Sequence, residues 1–598
     1  MKIVFIPNPV LEDGRPRPYV PLGILALATV LRKDGFNAEI LDINAICVDP
    51  SLQGMTEAIV AAKPDVVGFS TWCNYYLDLV KTAKRVRERL RDVKILFGGV
   101  QATHTDRETI EAFPQVDVVA RGECDHTISE IISSLHDPDR LSKVRGVTFK
   151  SRGTLIRTPN QGPVRDLDTL PLPDYSLLTS MSEIDRVGVD VGRGCPFRCG
   201  YCVSNSLGEG KFRQRSVENV VRLVKKVKED YGKSHFRFEH DMLTLNRKWL
   251  LDLCDSLDRE QLDITWECFS RIDTIDVEMM ERMAAAGCNY IYFGIETGSP
   301  RMQKLLNKRL SLDRAPSVIR KVCDLGMVAA SGFIFGFPQE KMSDITQTMR
   351  MMLEIYFSGQ TGISNIFTWL LVPFPGSPLF EKYQDQLALD GHLSNFAASP
   401  ATLVDLEFAK DHPELFSSFY HFVPEHVPRN IFVKVVHLMK NMLCLKYTAF
   451  ALLKDPQLGF PESLMSRITE SWLPDGNIFS HIGSPESLAQ VSGFIAKAIN
   501  GLGFEDHYIH DLMAYDLAFN SLLSKDVREG STLTRNFSHD VMAFIREIRS
   551  NGFRDLPDNV PQRECATVFR KLQDDDVDCI ELPAVFNTSQ SNLRFGTA

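Results

Sequence analysis

No stretch of this chain reaches about 18 uncharged apolar residues, so no membrane span is expected. The most apolar candidate, residues 431–453, is interrupted by Lys434, His437, Lys440 and Lys446 and reads as an amphipathic helix pair. No secretory leader is expected either, because the run Met1–Ile6 is too short. There is no excess of basic charge. The formal net charge is −10, which excludes the general basic field that nucleic acid calls for. There is no disulfide framework. Thirteen cysteines lie scattered over 598 residues without regular pairing and read as reduced thiols, so a cytoplasmic location is expected. No G-x-G-x-x-G follows the first predicted strand, which argues against a dinucleotide.

What is present is ordinary globular composition, 44% hydrophobic and 24% charged, in a chain long enough for about three domains. One stretch stands apart: Cys195-Pro196-Phe197-Arg198-Cys199-Gly200-Tyr201-Cys202. Thiolates at C-x3-C-x2-C spacing select zinc, copper or iron–sulfur clusters. Zinc prefers four protein ligands. No further Cys or His follows within thirty residues, the next being His235. Three thiolates on one loop suit a 4Fe–4S cluster with one iron left open for a small molecule. The plainer alternative is three buried structural cysteines.

Residues 1–145 alternate strand and helix, with strands at 2–7, 38–42, 66–70, 94–97 and 116–120. That alternation predicts a doubly wound parallel sheet. Ligands then bind beyond the carboxyl ends of the strands. Those ends are Pro7-Asn8-Pro9, Ser70-Thr71-Trp72, Gly98-Gly99-Val100-Gln101 and Gly122-Glu123. Residues 146–185, rich in Pro and Asp, read as an extended linker. Residues 186–385 hold six further strand–helix units. Their strand ends carry Glu239-His240-Asp241, Ser270-Arg271, Gly294 to Ser299, Gly332 to Pro338, and Pro373 to Pro378. A parallel barrel places its active site at such ends. Residues 386–598 read as mostly helical, with strand-like pieces at 566–569 and 578–582. No motif marks that region. His507 and His510 read there as a satisfied pair rather than metal ligands.

The cysteine loop, an aromatic residue preceding its last Cys, resembles the signature of radical S-adenosylmethionine (SAM) enzymes. The resemblance implies that Cys195, Cys199 and Cys202 hold the cluster and that the open iron chelates SAM. It implies an open (β/α)6 partial barrel. It places Glu239, His240 and Asp241 near the SAM amino group and Arg271 at its carboxylate, where a guanidinium fork fits. Tyr201, Glu296, Gly298 and Phe335 fall on segments that lie by SAM in this family. Residues 1–145 resemble the cobalamin-binding domain that precedes the barrel in one branch, through Tyr19 to Gly23, Val67 to Ser70, Gly98-Gly99 and Arg121 to Glu123. The cofactor contacts implied are Pro9, Ser70, Thr71, Trp72, Gly98, Gly99, Val100, Gln101, Gly122 and Glu123. One departure is that no D-x-H-x-x-G occurs in residues 1–145, so no histidine is assigned to cobalt. Trp72 is the candidate to cover that face, with a core position beside Tyr75 and Tyr76 as the other reading. An empty domain of the same fold is the alternative to cobalamin binding.

The activity implied is C-methylation of a small-molecule or peptide natural-product precursor. A 5′-deoxyadenosyl radical would abstract hydrogen, methylcobalamin would deliver methyl, and a second SAM would restore it. A low-potential donor of flavodoxin or ferredoxin type would supply electrons. Non-methylating radical chemistry, an oxidative ring closure or ring contraction, is the second reading. A non-catalytic corrinoid or redox sensor is the third. Residues 386–598 are expected to close the barrel mouth and shape substrate choice.

Overall fold

The computed structural model describes residues 1–8, 11–12, 15–16, 18–42, 52–359, 364–389, 406–469, 482–523, 531–551, 553–557, 565–571 and 577–582. Pro9 and Cys47 lie outside them.

The first sheet contains β1 (Lys2–Ile6), β2 (Asn37–Ile40), β3 (Val66–Ser70), β4 (Lys94–Gly98), β5 (Val118–Ala120), β6 (Val147–Ser151) and β7 (Thr154–Arg157). Its order is β2-β1-β3-β4-β5-β6-β7. The first five strands are parallel. Unbroken apolar runs such as Ile3-Val4-Phe5-Ile6, buried throughout, suit strands covered by helices on both faces. The order 2-1-3-4-5 has its topological switch point between β1 and β3, where ligands of such sheets bind.

The stretch 146–185 departs from the expected linker. β6 and β7 form an antiparallel hairpin that extends the first sheet beyond β5. Its turn, Arg152-Gly153, has φ of 48° and 80°, the left-handed pair that matches strand twist. Beyond it, Tyr175, Leu178, Met181 and Ile184 are buried, and Tyr175 Oη donates to the Gly188 carbonyl at 2.7 Å. Proline content concealed a strap packed between two sheets.

The second sheet runs in sequence order: β8 (Val187–Asp190), β9 (His235–Glu239), β10 (Thr265–Ser270), β11 (Cys288–Glu296), β12 (Val328–Phe335) and β13 (Ser364–Leu370). Every neighbouring pair is parallel. Helices return between strands because each carries an apolar stripe. In Val217–Tyr231 the stripe is Val217, Val220, Val221, Val224 and Val227. Ser216 caps that helix through Asn219 N, and Gly232 ends it at φ 67°. Along β11, half-buried Tyr290, Tyr292 and Gly294 alternate with buried Ile291, Phe293 and Ile295. The former face the barrel interior and the latter the surrounding helices.

The C-terminal region is mostly helical, with helices Arg429–Met442, Lys446–Lys454, Pro485–Asn500, Ile509–Leu523 and Val541–Asn551. A three-stranded antiparallel sheet accompanies them: β14 (Thr532–Phe537), β15 (Cys565–Lys571) and β16 (Val577–Leu582). Helix Arg429–Met442 packs along β13, the open edge of the barrel. His507 sits 3.4 Å from Asp455, and His510 bonds the Phe504 carbonyl at 3.1 Å. The segment around residues 409–422 turns back onto the first domain, where Phe416 meets Tyr76 and Phe113. No described helix is long and apolar enough to cross a membrane.

Candidate functional site

The carboxyl ends of the two parallel sheets face one another across a cavity of about 780 Å3. From the first sheet it is lined by Ser70, Trp72, Gly98, Gly99, Val100, Gly122 and Glu123; from the barrel by Glu239, His240 and Asp241. Ten of the residues singled out in the sequence thus share one space. Apolar side chains such as Leu22, Ile24 and Phe69 form the first-domain wall.

Gly99 is demanded by geometry. It has φ 94°, and a Cβ there would lie 2.8 Å from both the backbone N and O of Thr71. Its neighbour Thr71 is buried. The Thr71 hydroxyl donates to the Gly98 carbonyl at 2.8 Å and accepts from Ala102 N at 2.9 Å. Thr71 therefore holds the glycine turn and does not line the cavity, contrary to expectation. Gln101 is also displaced from the expected role. It is buried and donates to the Leu415 carbonyl at 3.0 Å, pinning the returning segment. Glu123 reaches the cavity wall, yet Arg213 holds both its oxygens at 2.7 and 2.8 Å. Val164 N adds a third bond at 2.9 Å. Trp72 is half-buried, apart from the buried Tyr75 and Tyr76, and meets Phe374 edge-on at 6.1 Å.

The cysteine loop follows β8 and is pinned from several elements. Gly200 N donates to the Leu306 carbonyl at 2.7 Å, and Leu379 N to the Gly200 carbonyl at 2.8 Å. Asn205 Nδ2 reaches the Cys195 carbonyl at 3.3 Å, and Asn307 Nδ2 the Arg198 carbonyl at 2.9 Å. Cys199 is buried; Cys195 and Cys202 are half-buried. Burial pushes the Cys195 thiol up to about 11, and burial also raises Cys202. Among the described residues, no three His, Cys, Asp or Glu side chains converge on a single-ion site. Three thiols with no fourth ligand match a polynuclear cluster with an open position better than a closed zinc site.

Burial raises Glu239, opposed by Arg237, and raises Asp241, opposed by a bond from Ser204. Both line the cavity, and Oε1 of Glu239 accepts from Arg237 Nε. His240 is pushed down to about 4 by burial. It is a neutral imidazole: Nδ1 accepts from Met242 N at 2.8 Å and Nε2 donates to the Arg213 carbonyl at 3.3 Å.

Other expected contacts are spent differently. Arg271 aims Nε and Nη2 at Asp273, each at 2.9 Å, and lies 3.8 Å over the Phe197 ring. Its fork is filled by Asp273, so it is not open to a carboxylate in the bidentate way expected. Gly298 packs on helix Met342–Tyr356, where a Cβ would sit 2.7 Å from the Gln347 carbonyl. Phe335 is fully buried among helices. Strand alternation puts its neighbour Ile334 on the Tyr201 side instead, a one-residue misreading of register. Glu296 is joined by Tyr201 and by Lys308, contacts that no short-range pattern revealed.

The turn after β12 is closed by Glu340, whose Oε2 accepts from Gly336 N at 2.9 Å and Phe337 N at 3.2 Å. Burial pushes this fully buried carboxyl up to about 8. Its folded value thus exceeds the unfolded one of about 4.3. Between those values the folded state keeps a proton that the unfolded state has lost, so stability falls as pH rises. The slope is about 1.4 kcal/mol per pH unit for such a group. Glu340→Gln is expected to flatten the decline in thermal midpoint between about pH 5.5 and about pH 7.5; an unchanged slope would exclude Glu340 as its source.

Two family models match the chain in this same arrangement. Residues 15–132 match the B12 binding domain, and residues 189–352 match the Radical SAM superfamily. The chain thus carries a B12 binding domain followed by a radical SAM domain. Its cofactors are a 4Fe–4S cluster, SAM and cobalamin. It is similar to an uncharacterized methyltransferase of Pyrococcus horikoshii, 29% identical over 60% of this chain and 78% of that one. It is similar to the anaerobic magnesium-protoporphyrin IX monomethyl ester cyclase of Rubrivivax gelatinosus, 23% identical over 65% of this chain and 71% of that one. Among solved structures it resembles the radical SAM methyltransferase TsrM of Kitasatospora setae with cobalamin and a [4Fe-4S] cluster bound. The TM-score is 0.60 at 15% identity, over 84% of this chain and all of that one. The cavity fits the larger of these groups: a glycine-edged, apolar-walled cradle at the carboxyl ends of one sheet, with Gly192 to Gly194 and Val203-Ser204, which flank the cysteine loop, on the facing wall; the three cysteines are not among its lining residues.

Proposed function

We propose that this cobalamin-dependent radical SAM enzyme is a C-methyltransferase acting on a small-molecule or peptide precursor. The observation that carries the reading is the single cavity shared by the carboxyl ends of both sheets. A group held by the first domain and a group held at the cysteine loop would reach the same substrate atom. When bound, the cluster with SAM supplies hydrogen-atom abstraction, and cobalamin a methyl group to donate. Cys195, Cys199 and Cys202 would hold the cluster. Glu239 and Asp241 would accept the SAM ammonium. The turns at Gly98-Gly99 and Gly122, together with Trp72, would hold the corrin. The substrate would enter the barrel interior, walled by Phe269, Tyr292, Phe367 and Trp369. These rings follow one another with centroids 5.7, 6.0 and 6.2 Å apart and would keep water from the reacting carbon. An electron donor of flavodoxin or ferredoxin type would serve the cluster. Helix Arg429–Met442, along the open edge of the barrel, would help shape substrate choice.

The relative named as a cyclase favours a second reading, ring closure without methyl transfer. One experiment separates them before any substrate is known. The protein is reconstituted anaerobically with iron, sulfide and hydroxocobalamin, reduced, and given SAM. Stoichiometric cobalt and release of S-adenosylhomocysteine are expected for a methyltransferase. Full iron and cobalt without S-adenosylhomocysteine would favour the second reading. Full iron without cobalt would end methyl transfer from cobalamin as an explanation.

A further inference from the structure

We infer that Tyr201, Glu296 and Lys308 form a charge-balanced clamp that seats the cysteine loop while leaving no net charge of its own to bias the cluster held there. The inference rests on the cluster site proposed above but not on methyl transfer.

The three side chains close a triangle. Lys308 Nζ lies 2.9 Å from Glu296 Oε1 and donates to Tyr201 Oη at 2.8 Å; Tyr201 Oη donates to Glu296 Oε1 at 3.1 Å. Tyr201 lies in the loop itself, between Cys199 and Cys202, and its ring packs on Phe337 at 6.0 Å. The ion pair is buried, with side-chain exposures of 7% for Lys308 and 11% for Glu296. The loop is gripped at a second point through the same lysine. The Lys308 carbonyl accepts from Arg271 Nη2 at 2.9 Å, and Arg271 covers the Phe197 ring.

The backbone is bent to make this contact. Glu296 has φ 71°, a left-handed conformation costly for a side chain that is not glycine. It sits at a register irregularity where β11 leaves its pairing with β12. Gly294 leaves the necessary room: a Cβ there would lie 2.4 Å from Glu296 Oε1 and 3.0 Å from Lys308 Nζ. Strain of this kind persists only where the surroundings enforce it. Here they enforce a cation and an anion side by side against the loop. Each charge alone would act strongly on a nearby cluster, because burial weakens screening. Together they cancel. Tyr201, Glu296 and Lys308 are thus positioning residues that hold the loop without biasing its reduction.

The test uses anaerobically reconstituted protein and reads the cluster midpoint potential by electron paramagnetic resonance during redox titration, without SAM. Glu296→Gln leaves an uncompensated cation and should raise the potential. Lys308→Met leaves an uncompensated anion and should lower it. Tyr201→Phe keeps both charges and should leave the potential near that of the parent, while narrow cluster signals broaden as the loop loosens. Shifts of the same sign in both charge variants, or no shift with a full cluster, would overturn the inference. If Lys308→Met takes up no iron, Lys308→Arg decides: a full cluster at the parental potential supports the clamp, and a displaced potential removes it. A parent protein that binds no cluster would instead overturn the site assignment on which the inference stands.

Discussion

Cys199→Ala is expected to abolish reductive cleavage of SAM. The loss should be at least roughly 10⁶-fold, the lower end of the acceleration that enzymes provide. The reason is ligand count. The loop offers three thiols, and no fourth Cys or His follows until His235. Cys199 is the buried one, with Gly200 beside it anchored to residues 306 and 379. Alanine removes a cluster ligand with little change of volume, so the fold should remain. The measurement pairs iron content with 5′-deoxyadenosine formation under reductant. Full iron with undiminished product in the variant would show that the cluster lies elsewhere. Cobalt content should be unchanged, because the first domain does not depend on this thiol.

Gly99→Val is expected to give the reverse pattern: iron retained, cobalt lost. A Cβ at Gly99 would stand 2.8 Å from the Thr71 backbone, which cannot yield like a flexible side chain. A β-branched residue at φ 94° is strained in addition. The turn must therefore shift into the space proposed for the corrin. Bound cobalamin should fall to background, with S-adenosylhomocysteine release lost alongside it. SAM cleavage at the cysteine loop should survive, because that loop is built from other elements. Cobalt bound at the parental level would show that this turn does not seat the corrin. Read together, the two variants separate the two halves of the cavity, one metal at a time.

Much of the fold was legible in the chain before its tertiary structure. Apolar runs such as 2–6 and 66–69 and the valine stripe of 217–227 are local periodicities, and local periodicity declares strand and helix. The cysteine spacing, the glycine pairs and the acidic strand end at 239–241 are likewise local, and the structure brings Gly98, Gly99, Gly122 and Glu239 to Asp241 to one cavity. The hairpin at 147–157 was hidden because prolines nearby suggest a spacer, while its Arg152-Gly153 turn is a weak signal. Phe335 was misplaced because a strand motif does not state which alternate residue faces inward. Thr71 and Gln101 carry side chains suited to ligands, and nothing near them in the chain says that Gly98 and Leu415 take those bonds first, whereas the fork of Arg271 is taken by Asp273, two residues on. The sequence by itself determined the element order, the parallel sheets and the three thiols, since each depends on neighbours within a few residues. Only the tertiary structure decided which polar groups remain for a ligand and which are consumed. Those outcomes turn on partners such as Glu123 with Arg213, or Tyr201 with Glu296, which are distant along the chain and meet only when both sheets are packed.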